Sequence, residues 1–444
     1  MAWPTLRIIS FINGIFLLTL AISMTIPMLT LVLFGRAHEL NAFLWSSLIT
    51  FIAGMTRIVQ GRPKDVQLRP RDMYLLTVSS WVLVGLFAAL PFMFSQHLGL
   101  TDAVFESMSG ITATGATVLV GLDSMSPGIL IWRSVLHWLG GIGFIAMAVA
   151  ILPMLRIGGM RLFQTESSDR SEKIMPRSHM VAKYMVAAYL GISLIGCLAL
   201  WLAGMNLFDA INHTMSSIST GGFSTSDQSL GKWTEPAVHW VTIVLMILGS
   251  VPFVLFASML RGNYKALIKD QQVRGFLTIL LSTWLILGTW YCFSSNLHWV
   301  DAIRHVAFHT TSVMTTTGLA IDDYSLWGGF AGMLFFYLGF IGGCSGSTAG
   351  GLKIFRFQVA YTLLKANLMQ LVHPRAVIKQ QYNRHNLDED IVRSILTFSF
   401  FFTITIAILA LALTLCGLDW ITALSGAAST VSGVGPGLGP IIGP

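Results

Sequence analysis

Four short segments of the sequence share one pattern, in which an apolar residue, a hydroxyl residue and two small residues precede a glycine. We name them glycine loops 1 to 4, and they are residues 111–115, 218–222, 314–318 and 431–435. Glycine accepts positive φ angles and lets backbones approach closely. Four such loops around one axis can point main-chain carbonyl oxygens at a monovalent cation and replace its water shell. A single copy would fit close helix packing better, so the fourfold recurrence is what favours an ion-coordinating ring.

The residues predicted to form this ring come from all four loops, four from each. They are Thr112, Ala113, Thr114, Gly115, Ser219, Thr220, Gly221, Gly222, Thr315, Thr316, Thr317, Gly318, Ser432, Gly433, Val434 and Gly435. None carries a charge, so carbonyl dipoles must do the coordination. A transported potassium ion is the expected ligand, and no bound cofactor is expected.

The composition predicts an integral membrane protein. Hydrophobic residues make up 54% of the 444 residues and charged residues only 11%, and the apolar runs exceed what a soluble core needs. Most of the 27 Lys and Arg lie in four segments, residues 57–71, 156–183, 261–274 and 353–393. This asymmetry places those segments and the N-terminus in the cytoplasm, and it accounts for the net charge of +7 without nucleic acid. The opposite loops are rich in aspartate, and their assigned basic residues are Arg36, Arg133, Lys232 and Arg304.

The order of apolar runs predicts the domain organisation. A two-span hairpin (residues 1–61) precedes four units in which a span, a short helix, a glycine loop and a second span recur. The predicted units are residues 62–160, 161–262, 263–375 and 376–444. The fourth has no second span before Pro444, and both a truncated product and a partial chain stay open. The expected fold is all-α, with pseudo-fourfold span–pore-helix–span repeats around a central pore.

The short helices are predicted to be re-entrant. Each segment from an aspartate to its glycine loop has about 13 to 17 residues, fewer than the about 20 that cross a bilayer in helix. Asp102, Asp209, Asp301 and Asp419 are predicted N-caps of these helices. Each helix would then end at a glycine loop. Because a helix C-terminus carries partial negative charge, this geometry favours a cation at the axis.

A second glycine-rich stretch interrupts the second span of the third unit. We name it the central break, and its residues are Gly342, Gly343, Cys344, Ser345, Gly346, Ser347, Thr348, Ala349, Gly350 and Gly351. So many glycines disfavour a straight helix, at about 1 kcal/mol each against alanine. We interpret the break as a gate across the pore, since it falls in only one unit; a kinked helix that packs tightly is the alternative. Lys353 and Arg356 are expected to be interfacial anchors rather than tethers of the break.

Ionisable residues at membrane depth are functional candidates. Glu106, His213, His305 and His309 lie near the short helices, and we expect them to brace the glycine loops. No group of His, Cys and carboxylate residues has the spacing of a metal site, and no Ser-His-Asp set is recognisable, so an enzyme is not expected. Close packing is the expected role of Gly140, Gly141 and Gly143.

With these motifs the chain resembles the Trk/Ktr/HKT superfamily of potassium transporters, most closely its bacterial Trk-type membrane subunits. The resemblance covers residues from about 5 to 444 and rests on the glycine loops, residues 138–143, residues 152–160 and the central break. It implies filter glycines at Gly115, Gly222, Gly318 and Gly435, and a gate at residues 342–351. Some plant members with serine at the first of these positions prefer sodium, so Gly115 implies potassium selectivity. Members close the fourth unit with a span that carries an arginine near the gate, and nothing here matches that span.

The predicted function is potassium uptake across the bacterial cytoplasmic membrane, through the ring and past the central break. The resemblance also implies a homodimer and a cytosolic nucleotide-binding regulatory subunit. A symporter that couples potassium to sodium or protons is the alternative within transport. A scaffold or receptor subunit that moves no ions is the alternative from another class, and it needs no repeated glycine loops.

Overall fold

The protein is described from a computed structural model over residues 3–60, 69–150, 174–295, 297–376, 378–383, 385–387, 389–439 and 441–443. Helices dominate these residues. The described part holds one pair of short strands, Gln381–Tyr382 antiparallel to His385–Asn386. The predicted motif at residues 152–160 and parts of the basic segments 57–71 and 156–183 lie outside the described residues.

Apolar helices define the membrane class of the fold, as predicted from composition. Within the described ranges, six helical stretches are long and apolar enough to cross a membrane; they are Leu6–Leu33, Ala37–Val59, Arg71–Gln96, Met180–Leu202, Gln271–Ser294 and Glu389–Leu415. Only 17% to 39% of their most apolar windows is buried. The remaining apolar surface needs an apolar solvent, which a bilayer supplies.

The N-terminal hairpin is a close helix pair. Its first arm comprises the helices Trp3–Ser23 and Thr25–Leu33, its second arm is Leu40–Val59, and the 3-10 turn Ala37–Glu39 joins the arms. A Cβ on Gly14 would lie 2.9 Å from the carbonyl oxygen of Gly54, closer than side chains allow. The two glycines therefore let the backbones touch, as small residues do between membrane helices.

The rest of the chain alternates long and short helices. In the region of the first predicted unit the helices are Pro70–Ala88, Leu90–Gln96, Leu100–Ile111, Leu122–Ser124 and Pro127–Ala150. In the second they are Ile174–Leu202, Leu207–Ile218, Ser229–Lys232, Pro236–Gly249 and Phe253–Leu260. In the third they are Lys265–Lys269, Gln271–Ser294, Trp299–Met314, Tyr324–Trp327, Gly329–Ile341 and Ile354–Val372, and in the fourth Glu389–Leu415 and Trp420–Ser432.

Four of these helices are the short ones that end at the glycine loops. They have 12, 12, 16 and 13 residues, or about 18 to 24 Å at 1.5 Å per residue. None reaches across a hydrocarbon core of about 30 Å. They therefore have the length that a re-entrant position requires.

The prediction that aspartates begin the short helices is right for one of them. Asp419 is an N-cap, and its carboxylate accepts the amide of Thr422 at 3.1 Å. The other three helices begin earlier, after Gly99, Asn206 and His298. Asn206 accepts the amide of Asp209 at 2.9 Å, so the aspartate lies in the first turn. There its negative charge still favours the helix N-terminus.

A second broken span contradicts the expectation that only one unit is interrupted. The helices Pro236–Gly249 and Phe253–Leu260 meet at 92°. Pro252 precedes the second helix, and a proline disfavours helical conformation in the residue before it. The chain therefore turns sharply at residues 250–252, next to the central break.

Candidate ion-binding site

The four glycine loops meet and close a ring. A Cβ placed on the last glycine of each loop would collide with a main-chain carbonyl oxygen of the next loop, in the order 1, 2, 3, 4 and back to 1. The four glycine and carbonyl pairs are Gly115 with Gly221, Gly222 with Thr317, Gly318 with Val434, and Gly435 with Thr114. In every pair the carbonyl belongs to the residue before the glycine of its own loop. The loops therefore surround a common centre in equivalent positions.

The backbone conformation repeats as closely as the position. The fifth residue of each loop is a glycine with φ between +79° and +98°. The third residue also has positive φ in all four loops, although only loop 4 has a glycine there; these residues are Ala113, Thr220, Thr316 and Gly433. A non-glycine residue with positive φ is uncommon. The same departure in three loops indicates a conformation that the ring requires.

Hydrogen bonds explain how each loop obtains this shape. The amide of the fourth residue donates to a carbonyl five residues earlier in the short helix, as in Thr114 to Ser109 at 2.9 Å and Thr317 to Ser312 at 2.8 Å. The third amide donates three residues back. This is the Schellman ending of a helix. It commits the third and fourth amides of each loop to the helix.

The hydroxyl residue in the second position of loops 1, 2 and 3 bonds the end of its short helix, whereas the Ser432 hydroxyl of loop 4 is buried without a partner among the described residues. Thr112 donates to the carbonyl of Met108 at 2.6 Å, and Ser219 and Thr315 donate to Met215 and Thr311, each at 2.7 Å. Each of these carbonyls also accepts the main-chain amide of the same residue, so the hydroxyl adds a second bond at the helix end. The side-chain oxygens of these three residues are thus engaged at the ends of their helices.

Two glycines on neighbouring spans pack closely against the start of loops 1 and 2. A Cβ on Gly140 would collide with the carbonyl oxygen of Ile111, and one on Gly249 would lie 2.6 Å from that of Ile218. Both carbonyls belong to the first residue of a glycine loop. Close packing is therefore confirmed for Gly140, and for Gly141, where a Cβ would lie 2.6 Å from the Tyr189 hydroxyl. At Gly143 a Cβ would meet no atom of the described residues within 4 Å, so the prediction is not supported there.

Ionisable side chains on the short helices brace the segments that follow the glycine loops, as predicted. Glu106 accepts the hydroxyl of Thr117 at 2.9 Å and the amide of Val118 at 3.1 Å. His213 lies 2.9 Å from the hydroxyl of Ser224. Glu106 and His213 each stand nine residues before the glycine of their loop. The two braces are therefore equivalent in position and tie each loop to its own helix.

Arg133 is buried, which corrects its assignment to a loop. It lies within the helix Pro127–Ala150 and is 1% exposed, while its partner Glu106 is 0% exposed. The guanidinium bonds Glu106 at 2.7 Å and the carbonyl of Ser224 at 2.9 Å, and it lies 3.9 Å from the ring centre of Phe223. One side chain thus joins the segments beyond loops 1 and 2. The ion pair could not be predicted from the sequence, because 27 residues separate the two charges.

A second link between these segments lies at the surface. The carboxylate of Asp123 accepts Lys232 at 2.8 Å and Ser226 at 2.9 Å. The ammonium of Lys232 lowers the pKa of Asp123 below its ordinary value. Both side chains are 45% exposed, so this pair adds at most about 1 kcal/mol.

Three further polar residues converge beside loop 3, against the expectation that no group has metal-ligand geometry. His305 Nδ1 lies 2.6 Å from Asp322 Oδ2, and His309 Nε2 lies 2.6 Å from Asp322 Oδ1. Their ligand atoms all lie within 4.8 Å of one another. The two histidines are four apart in a helix and share a face, a signal that was present in the sequence. Asp322 had no such signal.

The central break is hydrogen-bonded to residues of glycine loops 2, 3 and 4. The Thr348 hydroxyl donates to the carbonyls of Ile218 and Gly249, each at 2.9 Å. The amide of Gly350 donates to the Thr316 hydroxyl at 2.6 Å, and that of Gly351 donates to the carbonyl of Ser432 at 2.7 Å. The central break therefore lies at the ends of the short helices that enter loops 2, 3 and 4.

The two broken spans are bonded to each other. The amide of Cys344 donates to the carbonyl of Ser250 at 2.9 Å, and the amide of Phe253 donates to the carbonyl of Gly346 at 3.0 Å. The amide of Thr348 also reaches the carbonyl of Gly249 at 3.2 Å. Each break thus satisfies backbone groups that the other leaves without helix partners.

Lys353 tethers the central break, which corrects its expected role as an interfacial anchor. It has a left-handed φ of +65°. Its ammonium donates to the carbonyls of Ser347 and Ala349. Arg356 instead donates to the carbonyl of Leu352 at 2.9 Å and lies 3.8 Å from the ring centre of Phe398.

Apolar spans and a closed cycle of four glycine loops define an integral membrane protein whose repeated loops share one centre. Comparison with known proteins agrees. The sequence model of the TrkH family, described as cation transport protein, matches residues 39–443. The chain belongs to this family, a family of transporters rather than enzymes.

The relatives are named for potassium uptake. Trk system potassium uptake protein TrkI of Halomonas elongata is 47% identical over 429 residues, which are 96% of this chain and 87% of the relative. Trk system potassium uptake protein TrkH of Escherichia coli K12 is 34% identical over 98% of this chain and 91% of its own. The crystal structure of the potassium transporter TrkH from Vibrio parahaemolyticus superposes with a TM-score of 0.91 and 34% identity, covering 99% of this chain and 92% of that one.

Proposed function

We propose that the protein takes up potassium through the ring of glycine loops 1 to 4. The observation that carries the proposal is the closed cycle of glycine and carbonyl contacts between the loops. Carbonyl oxygens in such a ring replace the hydration shell of an alkali ion. Each short helix also directs its C-terminal end, with its partial negative charge, toward the ring. An anion would meet the wrong pole of all four helices.

Potassium is the proposed ion because the similar proteins carry it in their names. Inward flow would be driven by its gradient and by the membrane potential, which supplies about 2.3 kcal/mol per charge per 100 mV. The test is flux into liposomes that hold the purified full-length protein, with potassium and sodium compared at equal gradients. Faster potassium entry is expected, and equal or absent flux of both ions would overturn the proposal.

The mode of transport is open to a direct test. The proposal is a gated pathway, whereas the interlocked breaks at residues 250–252 and 342–351 also resemble the discontinuous helices of coupled carriers. Reversal potentials measured against separate potassium, sodium and proton gradients distinguish the two. A potential that follows potassium alone supports the pathway, and one that shifts with sodium or protons indicates symport.

We further propose that the central break is the gate. Its support is the set of hydrogen bonds from Thr348, Gly350 and Gly351 to residues of loops 2, 3 and 4. A segment held there blocks the axis on the inner side of the ring. Opening requires these bonds to break, so weakening them favours the open state.

Replacing Thr348 with valine is expected to raise resting potassium flux about fivefold. The change keeps the shape and removes the hydroxyl that bonds Ile218 and Gly249. The hydroxyl has one proton, so the two contacts count as one shared hydrogen bond. Its net loss of about 1 kcal/mol shifts the closed-to-open equilibrium by about fivefold. The measurement is liposome flux at fixed protein density.

Thr362 offers the matched control, because its hydroxyl bonds, among the described residues, only the carbonyl of Gln358 in its own helix. T362V is expected to leave flux unchanged. Deleting residues 346–349 is expected to raise the leak further than T348V. Wild-type flux in both T348V and the deletion would remove the gate from the proposal.

The orientation and assembly are proposals as well. Basic residues in segments 261–274 and 353–393 place these segments and the N-terminus in the cytoplasm of a bacterial cell, where they offer a surface to a nucleotide-binding regulatory subunit. A homodimer is the proposed oligomer. Native mass spectrometry of the detergent-solubilised protein tests the dimer, and labelling of an N-terminal tag in intact cells tests the orientation.

A further inference from the structure

We propose that His305, His309 and Asp322 form a binding site for a divalent transition metal, separate from the path of the transported ion. The three side chains come from the two segments that flank loop 3. His305 and His309 lie on the short helix Trp299–Met314, which enters the loop, and Asp322 lies four residues beyond Gly318. One metal ion would therefore join both ends of this loop.

The hydrogen bonding around His309 is what points to a ligand. The side chain is fully buried, with 0% exposure. Neither of its ring nitrogens has an aligned hydrogen-bond partner in the described part of the chain, although Nε2 faces Asp322 Oδ1 at 2.6 Å; that oxygen is also without an aligned donor. A buried imidazole without a satisfied nitrogen is costly. A metal between the nitrogen and the oxygen would satisfy both.

The geometry needs only a small adjustment. His305 Nδ1, His309 Nε2 and one oxygen of Asp322 can act as three ligands within the 4.8 Å spread. Around Zn²⁺ the bonds are about 2.0–2.2 Å, so ligand atoms in a tetrahedron lie about 3.3–3.5 Å apart. The two 2.6 Å distances end on different oxygens of Asp322, so the pair whose oxygen binds the ion must open by about 0.7–0.9 Å. Ligand atoms nearer the 4.8 Å limit must close by about 1.3–1.5 Å. Asp322 lies in a loop and is 32% exposed, so it is the group that can move.

The donor set selects the kind of ion. Two imidazoles and one carboxylate suit Zn²⁺, Ni²⁺ or Cu²⁺, whereas Mg²⁺ and Ca²⁺ take oxygen ligands. Potassium is likewise served by oxygen, so the cluster does not extend the ring. Three protein ligands leave a fourth position for water, and the partial exposure of His305 and Asp322 gives the ion a path from solvent. Aromatic rings of Tyr324 and Trp327 enclose the other side of His309.

The test uses full-length protein in lipid nanodiscs and Zn²⁺ itself as the probe. Competition with a chromophoric chelator is expected to show one saturable site per chain. H305Q and D322N are expected to weaken zinc binding at least tenfold, because each replaces a metal ligand with a weaker-binding side chain of similar size. H97Q is the control, since His97 is an exposed histidine at the same end of its unit, before short helix 1, and it should bind as the wild type does.

Absence of a saturable site, or equal loss in H97Q, overturns the proposal, and so does wild-type affinity in both ligand variants. Zinc X-ray absorption of the wild type gives a readout that needs no variant. Two imidazole nitrogens and an oxygen bonded to the zinc support the proposed site. Coordination by oxygen alone contradicts it. Neither readout depends on ion flux, so the result stands apart from that of the potassium experiment.

Discussion

Serine in place of Gly115 is expected to raise the ratio of sodium to potassium flux by about tenfold or more. Gly115 has φ of +85°, and a Cβ there would collide with the carbonyl oxygen of Gly221. A side chain at this angle also costs about 1–2 kcal/mol. Loop 1 must move away from loop 2, and the ring loses the geometry that matches a dehydrated potassium ion. Since about 1.4 kcal/mol is a factor of ten, a modest distortion suffices.

The measurement is paired potassium and sodium flux in liposomes, with G121S as the control. Gly121 also has positive φ, +76°, but a Cβ added there would meet nothing closer than the Ser124 hydroxyl, at 3.7 Å. G121S thus carries backbone strain without the collision and should keep wild-type selectivity. An unchanged flux ratio in G115S, with transport intact, would show that the ring does not set selectivity.

Replacing Glu106 with glutamine is expected to lower the free energy of unfolding by about 3–5 kcal/mol. The carboxylate and the guanidinium of Arg133 are both buried and bonded at 2.7 Å. Removing one charge of a buried pair leaves the other uncompensated, and this is the origin of so large a penalty. The segments beyond loops 1 and 2 share this arginine, so they should loosen together.

Reversible denaturation in detergent gives the free energy, followed by tryptophan fluorescence. K232M provides the contrast, because it breaks an ion pair that is half exposed and should cost at most about 1 kcal/mol. The double variant E106Q/R133M should be more stable than the sum of its single changes indicates. Equal small losses in E106Q and K232M would contradict the structural role given to Arg133.

Local chemistry explains which features the sequence could predict. Long apolar runs had to become membrane helices, and Gly222, Gly318 and Gly435 had to permit the left-handed backbone that they show. The motif recurs at the same place in each of the four units, and this recurrence predicted that the four loops lie in one common environment. The short helices followed from length alone.

Features that depend on distant partners were missed. Arg133 was assigned to a loop because nothing near it in sequence signals the buried Glu106. The bend at residues 250–252 did have a local signal, a Gly-Ser-Val-Pro run, yet the apolar residues around it favoured a continuous span. Asp322 joins His305 only through the path that the chain takes after loop 3. Such groupings are properties of the tertiary structure.

The cyclic contacts between the loops come from one polypeptide, and this has an evolutionary consequence. In a pore assembled from identical subunits, any codon change is repeated at every corner. Here each quarter has its own codons, so Ala113, Thr220 and Gly433 can differ at matching corners. A single mutation alters one quarter and leaves three intact. Permeation in such a lineage can drift by small increments, because no single nucleotide change remodels the whole aperture.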